Sequence, residues 1–370
     1  MTPLAEHLRA EIVKRGPITF AEYMEAALYH PDHGYYSSPE PRTGNKGHFM
    51  TSPEVDAAFG ELWTNAFRRV WEAVGKPATF SVVELGPGEG GFCRSVLDCA
   101  SNGFGDAIRY LLVEPRASAR ERQRTEISDE RVTWAPSIDE VSVPAGAIFA
   151  NEVLDNQPVH LVGPGANGLV EVYVDADEEG LGFVDGPVSS DEIEPYLIEA
   201  RTWPLQGRMQ VGLAAVGLAS RSLAAIERGA IFLIDYGLEA AEIYERGGNT
   251  VVTYSERGAG SDPFEDPGTV DITAHADWTG VRRALIAAGA EVIGPKLQAD
   301  VLRALGSAEV DQRLNNEHEE ALANGDGRAA FRVLSRRNAL GALLNTAGLG
   351  GLQLIVGGKR LPEDTLSFLR

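Results

Sequence analysis

Short apolar runs alternate with amphipathic segments from residue 80 onward. The runs FSVVEL (80–85), IRYLLVEP (108–115), RVTWAP (131–136) and GAIFANEV (146–153) are typical of buried strands. Between them, FCRSVLDCAS (92–101) and ASARERQRTEI (117–127) have the character of helices. This alternation predicts a parallel sheet covered by helices, which is an α/β fold.

The rest of the pattern predicts three consecutive segments. Residues 1–76 form a helical N-terminal cap, in which SPEVDAAFGELWTNAFRRVWEAVG (52–75) has a helical apolar period and is capped by Thr51 or Ser52. Residues 77–240 form the sheet core, with a β-rich insert at about 159–187 and a helical segment at 190–228. Residues 241–370 supply acceptor-side loops, a helical insertion and the last two strands, EVIGPKL (291–297) and GLQLIVGGK (351–359).

Composition narrows the function classes. The 370 residues include 54 acids and 33 bases, a formal charge of −21, which disfavours a nucleic acid substrate. Apolar runs stay far below the ~18 residues of a membrane helix, and the N-terminus resembles neither a signal nor a transit peptide. We therefore expect a cytoplasmic protein. Cys93 and Cys99 lie in one predicted helix, so neither a disulfide framework nor a metal site is predicted.

The stretch VVELGPGEGGF (82–92) is a strand that breaks into a glycine-rich turn before a helix. Such a turn lets a ligand approach the backbone and the free N–H groups of the helix. Its spacing fits both the dinucleotide fingerprint and the loop that binds S-adenosylmethionine (SAM). Glu84 and Glu89 would repel a pyrophosphate but are compatible with the ammonium and sulfonium of SAM. Charge therefore favours SAM, while an ordinary strand-to-helix turn stays open.

Two later strands end in acids. Glu114 could accept hydrogen bonds from both ribose hydroxyls of either cofactor. The fourth strand ends in Asn151 and Glu152, with Asp155 following. Ligands of open α/β sheets bind at the carboxyl ends of the strands, so these side chains could orient a nitrogen nucleophile and take up its positive charge. The alternative is a polar loop with one capping residue.

Taken together, these segments resemble the MidA-type SAM-dependent methyltransferases, a family that includes a mitochondrial arginine methyltransferase of complex I assembly. The matching segments follow the family order: ITFAEYMEAALYHPDHGYY (18–36), GHFMTSPEVDAAFGELW (47–63), VELGPGEG (83–90), FANEVLDNQPV (149–159), LIDYG (233–237) and PGTVDITAHADW (267–278). The resemblance implies a class I methyltransferase fold, with a Rossmann-like, mostly parallel sheet of seven strands.

The resemblance also assigns site residues. The cofactor residues that it implies are Glu84, Gly86, Pro87, Gly88, Gly90, Glu114, Pro115, Ser137, Ile138, Asn151, Tyr36, Thr51 and Ser52. Asn151, Glu152, Asp155 and His275 would face the acceptor, with Glu152 the first choice to receive its proton. No metal is implied.

The expected function is SAM-dependent methylation of a protein arginine. Two alternatives stay open, a small-molecule methyltransferase and a SAM-binding assembly protein with little turnover. A nicotinamide oxidoreductase is disfavoured by Glu84 and Glu89. The expected partner is a protein substrate rather than a nucleic acid or a membrane, and a homodimer is left open.

Overall fold

A computed structural model of the chain describes residues 1–37, 51–178, 180–199, 207–255 and 258–369. The chain divides into two compact units. The first comprises Met1–Glu40, Val153–Ser220 and Tyr236–Ala284, and the second comprises Pro41–Glu152, Arg221–Asp235 and Leu285–Arg370. This division differs from the three consecutive segments predicted above, because each unit combines three stretches that are distant in the sequence.

Helices and strands are numbered in chain order over the described residues. The α-helices are α1 (Pro3–Arg15), α2 (Phe20–Tyr29), α3 (Ser52–Val55), α4 (Ala57–Ala73), α5 (Gly91–Cys99), α6 (Asn102–Ala107), α7 (Ala117–Glu126), α8 (Ile193–Glu199), α9 (Leu213–Ala224), α10 (Ala240–Glu245), α11 (Trp278–Ala287), α12 (Gln298–Ala304), α13 (Ser307–Ala323) and α14 (Gly327–Leu344). The strands are β1 (Ile18–Thr19), β2 (Phe80–Leu85), β3 (Ile108–Val113), β4 (Val132–Ala135), β5 (Val143–Asn151), β6 (His160–Gly165), β7 (Gly168–Ala176), β8 (Leu181–Gly186), β9 (Met209–Val211), β10 (Ile226–Asp235), β11 (Gly237–Leu238), β12 (Val252–Ser255), β13 (Gly258–Gly260), β14 (Asp271–Thr273), β15 (Ala276–Asp277), β16 (Glu291–Leu297) and β17 (Gln353–Lys359).

The second unit is built on a seven-stranded sheet with the order β16-β17-β10-β5-β2-β3-β4. Neighbouring strands from β10 to β4 pair in parallel, whereas β17 pairs antiparallel with both β10 and β16. Strands β2, β3, β5 and β10 are buried along most of their length, which explains their continuous apolar runs. The predicted α/β class is confirmed.

Helix α4 packs an aromatic stripe into the core of the second unit. Phe59, Trp63 and Phe67 recur at helical spacing and are fully buried. The ring of Phe92 in α5 stacks on Phe149 of β5, with centroids 4.4 Å apart. The Phe149 ring also meets Trp63 edge-on at 4.9 Å. This packing fixes α4, α5 and the strands that carry the glycine loop and the Asn151–Glu152 pair.

The helix predicted to start at Thr51 or Ser52 is interrupted at Asp56. Asp56 is extended, and its side chain accepts a hydrogen bond from the backbone N–H of Ala58 at 2.8 Å. An aspartate in this conformation is a favourable N-cap, so α4 begins at Ala57 and α3 is a separate turn. The first four residues of the 47–63 resemblance segment lie outside the described residues.

The first unit contains smaller sheets. Strands β6, β7 and β8 form antiparallel hairpins in the region predicted to be a β-rich insert, and β1 and β9 add to the same sheet. The segment predicted to be helical at 190–228 contains α8 and α9 but also β9 and the start of β10, while residues 200–206 lie outside the description. A separate apolar cluster comprises Val162, Ile193, Tyr196, Leu197, Met209, Val211, Leu238 and Ile243.

Within the described residues, no helix combines the length and the apolar character that crossing a membrane requires.

Candidate active site

The glycine loop after β2 has three glycines in the left-handed region. Their φ angles are 60° at Gly86, 54° at Gly88 and 74° at Gly90. Side chains with a Cβ rarely adopt such angles, so the loop geometry requires this residue type. At Gly90, an added Cβ would also lie 2.5 Å from Cδ1 of Ile127. The loop thus leads from the end of β2 into α5 with little side-chain bulk, which suits close approach of a ligand.

Helix α7 supports this loop through Gln123. Nε2 of Gln123 donates to the Gly88 carbonyl at 2.7 Å, and Oε1 of Gln123 accepts from the Trp134 indole at 3.0 Å. The Gln123 side chain is 1% exposed. Beside it, Arg122 bonds the Glu89 carboxylate at 3.3 Å. Sequence analysis missed Gln123, because a glutamine in a polar helix carries no signal that it is buried.

Replacing Gln123 by methionine is expected to weaken binding of S-adenosylhomocysteine (SAH) about three- to tenfold, because the Gly88 carbonyl loses its buried donor. Calorimetry measures this affinity, and the KM for the acceptor at saturating SAM should stay unchanged. Gln312→Met on α13, where the glutamine is exposed, is the control. Unchanged SAH affinity in Gln123→Met would contradict a role in positioning the loop.

Glu84 is buried at the end of β2, where its carboxylate accepts a hydrogen bond from the Tyr110 hydroxyl at 2.8 Å. Burial raises the pKa of Glu84 to about 8, against a smaller lowering effect of the Tyr110 hydrogen bond. At neutral pH the carboxyl is therefore mostly protonated in the ligand-free protein. Glu84 consequently does not supply the negative charge that the sequence argument against a pyrophosphate used.

Glu114 follows β3 and is already engaged by Arg116. The backbone N–H and Nε of Arg116 donate to Oε1 at 3.0 and 2.8 Å, and Nη2 donates to Oε2 at 2.9 Å. Pro115 is exposed next to it. After the neighbouring strand β4, Ser137 caps a short 3₁₀ turn through its hydroxyl, and Ile138 in that turn is buried. The acid predicted to hold the ribose therefore already has an internal cation as its partner.

Asn151, Glu152 and Asp235 lie at the carboxyl ends of the adjacent parallel strands β5 and β10. Glu152 has a φ of 54°, and its N–H donates to the Ile234 carbonyl at 2.9 Å. A non-glycine residue in this region carries backbone strain, a feature that clusters at functional sites. Nδ2 of Asn151 donates to Oε1 of Glu152 at 2.7 Å, and Oδ1 of Asn151 is buried without a hydrogen-bond partner among the described residues.

The environment of Glu152 favours its protonated form. Burial raises the pKa of Glu152 to about 8, and the charge of Asp235 adds to this rise. Hydrogen bonds from the Asn151 side chain and the Ser52 backbone N–H act in the opposite direction and only partly offset it. Glu152 can therefore exchange a proton close to neutral pH, as a general base must.

Residues Thr51 and Ser52, predicted to contact the cofactor, make internal contacts. The fully buried Ser52 hydroxyl accepts from Nε2 of Gln298 at 2.8 Å, and that amide also donates to the Leu349 carbonyl at 2.9 Å. Thr51 donates to the Glu54 carboxylate from its hydroxyl at 3.1 Å. Gln298 was also missed from the sequence, because its partner is 246 residues away.

The remaining predicted residues, Tyr36, Asp155 and His275, belong to the first unit. The Tyr36 hydroxyl donates to Oδ1 of Asn156 at 2.9 Å and also contacts Asp271. Asp155 is buried, and its carbonyl accepts from the Ala274 N–H.

His275 is held through its backbone, since its N–H donates to the Thr250 hydroxyl and its carbonyl accepts from Gln210. Burial and the charge of Arg246 lower the pKa of His275, so its ring is neutral at physiological pH.

The residues of the second unit fit SAM. The loop has three left-handed glycines without side chains, Glu114 follows the next strand, and the Asn151 oxygen that has no partner among the described residues is a buried acceptor for a ligand donor. Parallel pairing brings the carboxyl ends of β2, β3 and β5 to one edge of the sheet, where open α/β sheets bind ligands.

Comparison with known proteins identifies the family. A family model of S-adenosyl-L-methionine-dependent methyltransferases matches residues 62–296. The chain is 30% identical to the mitochondrial protein arginine methyltransferase NDUFAF7 of Rattus norvegicus, over 85% of this chain and 76% of that protein. The Homo sapiens protein is also 30% identical, over 85% and 75%.

A solved structure extends the similarity to the whole chain. The crystal structure of a Burkholderia thailandensis protein bound to S-adenosyl-homocysteine superimposes with a TM-score of 0.82 at 30% identity, over 98% of this chain and 94% of that one.

The prediction of a cytoplasmic location is contradicted, because the relatives from rat, mouse and fruit fly are named as mitochondrial proteins. The family match, by contrast, confirms the prediction of a SAM-dependent methyltransferase. The chain belongs to the MidA-type family of SAM-dependent methyltransferases, with SAM as its cofactor.

Proposed function

We propose that the acceptor of this methyltransferase is an arginine side chain of a protein. The observation that carries the proposal is the pair of acids at the ends of adjacent parallel strands, the half-buried Glu152 and the fully buried Asp235. A guanidinium stays protonated in proteins, so its nitrogen becomes nucleophilic only where nearby carboxylates hold the charge and take a proton. Relatives named as protein arginine methyltransferases support the same acceptor.

The proposed roles follow from the contacts in the second unit. SAM supplies an electrophilic methyl group on a sulfonium. Glu152 receives the proton that the acceptor nitrogen loses, and burial together with the charge of Asp235 keeps the pKa of Glu152 high enough for this transfer. The Asn151 amide holds the Glu152 carboxylate in one orientation through the 2.7 Å hydrogen bond. The ends of these strands also align the acceptor nitrogen with the methyl group and exclude water, which lowers the barrier to transfer further.

The proposed cofactor contacts are made by the glycine loop, with Gly86, Pro87, Gly88 and Gly90, and by the acids Glu84 and Glu114. Pro115, Ser137 and Ile138 are the proposed neighbours of the adenosine part. Thr51 and Ser52 are proposed to support the site without contacting the cofactor through their hydroxyls, because both hydroxyls form hydrogen bonds within the second unit. Roles for Tyr36, Asp155 and His275 stay predictions from the resemblance.

The acceptor class is tested with purified enzyme, methyl-labelled SAM and fractionated cell extract. Label in protein that mass spectrometry assigns to methylarginine supports the proposal. Label found only in small solutes indicates a small-molecule methyltransferase. Tight SAH binding without transfer into either fraction indicates a SAM-binding assembly protein. Each of the last two results contradicts the proposed acceptor.

The kcat/KM for methyl transfer is expected to rise with pH through about 8. Glu152 must lose its proton to act as a base, and its pKa is raised to about 8. The measurement is kcat/KM between about pH 6 and 10 at fixed ionic strength. A profile that is flat across this range would contradict the role of Glu152.

Folding stability is expected to fall as the pH rises, in contrast to the rate of methyl transfer. Glu84 and Glu152 have pKa values raised from 4.5 to about 8, so the folded chain holds protons that the unfolded chain releases. The stabilisation from these two groups is complete below about pH 4.5 and is lost as the pH rises through about 8. Denaturant unfolding of the wild type and of Glu152→Gln at several pH values checks this. The free energy of unfolding should depend less steeply on pH in the variant, because it lacks one of the two groups.

A further inference from the structure

The Glu114 carboxylate has little remaining capacity to bind a ribose. Three of its acceptor positions receive donors of Arg116, namely the backbone N–H, Nε and Nη2, all within 3.0 Å. An ionised carboxylate offers about four lone-pair positions. Two ribose hydroxyls need two of them, so the present contacts leave one too few.

The two partners differ in their freedom to move. The side chain of Glu114 is 3% exposed, whereas that of Arg116 is 26% exposed. Glu114 is also held by its backbone, since its N–H donates to the Ala135 carbonyl at 3.0 Å. Arg116 is thus the more solvent-exposed member of the pair, and the Glu114 carboxylate is the more constrained one.

We propose that the Arg116 guanidinium is an internal competitor for the ribose site and lowers the affinity of the enzyme for SAM. Cofactor binding then requires at least one of the two guanidinium hydrogen bonds to Glu114 to break. The Arg116 backbone N–H keeps its contact and holds Oε1 in place for the ribose. The inference rests on the proposed role of Glu114 and adds a residue that controls how tightly that site is occupied.

Removing the competitor should change two quantities in opposite directions. Without the guanidinium, the buried Glu114 carboxylate loses its charged partner, so the ligand-free protein becomes less stable. The same loss frees two acceptor positions for the ribose, so binding becomes tighter. A residue that only supports the local structure would lower stability and affinity together.

The test is isothermal calorimetry with SAH, joined to thermal unfolding without ligand, on Arg116→Met. We expect SAH to bind about three- to tenfold more tightly and the ligand-free melting temperature to fall. Arg116→Lys keeps the charge but not the bidentate fork, so it should fold readily and give a smaller gain. Unchanged or weaker SAH binding in both variants would overturn the inference.

The matched control is Arg120→Met. Nη1 of Arg120 donates to the backbone carbonyls of Glu114 and Pro115 and not to the carboxylate. Arg120→Met removes one positive charge four residues further along the chain and leaves the Arg116 guanidinium on the carboxylate, so it should not tighten SAH binding. Equal tightening in this variant would assign the effect to net charge and contradict competition.

Glu114→Gln separates this inference from the proposal on which it rests. If SAH affinity is insensitive to Glu114→Gln, the ribose role of Glu114 itself is wrong. If Glu114→Gln weakens binding while Arg116→Met fails to strengthen it, only the competition is wrong. When Glu114→Gln is already present, adding Arg116→Met should no longer tighten SAH binding.

Discussion

Replacing Glu152 by glutamine is expected to lower kcat by about two to four orders of magnitude, while SAH affinity stays within about twofold of wild type. Glutamine has nearly the same shape and keeps an oxygen that can accept from the Asn151 amide. It cannot take a proton from a guanidinium. The loss should therefore fall on the chemical step rather than on cofactor binding.

Rapid-quench or steady-state transfer assays measure the rate, and calorimetry with SAH measures the affinity. Glu171→Gln is the control, because Glu171 is fully buried in the first unit and bonds His160 at 2.7 Å. That control removes a buried carboxylate that belongs to the first unit. Equal losses of turnover and of SAH binding in Glu152→Gln would contradict a role confined to proton transfer.

Replacing Gly88 by valine is expected to weaken SAH binding by at least about a hundredfold, or about 2.7 kcal/mol. The φ of 54° at Gly88 is unfavourable for any side chain with a Cβ, and most of all for a β-branched one. To relieve the strain, the backbone must change its conformation and break the Gln123 contact at the Gly88 carbonyl.

The matched control is Gly75→Val, since Gly75 belongs to the same unit, has a φ of 90° and would place its Cβ in open space. This substitution carries a comparable backbone strain of about 1–2 kcal/mol at a turn outside the loop. It should lower the free energy of unfolding and leave SAH affinity unchanged. Weakened binding in both variants alike would show that general destabilisation, not the loop, accounts for the effect.

Sequence patterns predicted the inner strands of the sheet well, because most of their residues are buried. The segments FSVVEL and IRYLLV (β2 and β3) each have a neighbouring strand on both sides, and their mostly buried residues form continuous apolar runs. The glycine loop was also predictable, because positive φ angles in series require glycine. Glu114 and Glu152 followed from the rule that strand ends carry the ligand-binding groups.

Other features depend on contacts that the sequence does not encode locally. Gln123 and Gln298 are buried only because Gly88 and Ser52 are brought to them by the fold. Arg116 is two residues from Glu114, yet the polar sequence at the start of α7 does not indicate that the Arg116 guanidinium bonds the Glu114 carboxylate. The domain prediction assumed consecutive segments, whereas strands β5 and β10 of one unit are separated in the chain by the insert that belongs to the other.

The sequence argument from the negative charge of Glu84 does not hold in the structure, and the reason is physical. A glutamate beside a glycine loop suggests a charged loop mouth, but Glu84 is 4% exposed and its pKa is raised to about 8 by burial. The preference for SAM therefore rests on the family match and on the fit of the second unit's residues. It does not rest on repulsion of a phosphate by this residue.

The most direct test of the account is a crystal structure of the full chain with bound SAH. We expect the ribose hydroxyls to bond the Glu114 carboxylate, with the Arg116 guanidinium turned away, and the amino acid part of the ligand to lie along Gly86–Gly88. Ligand density away from this loop, or a ribose held by a different acid, would contradict the account.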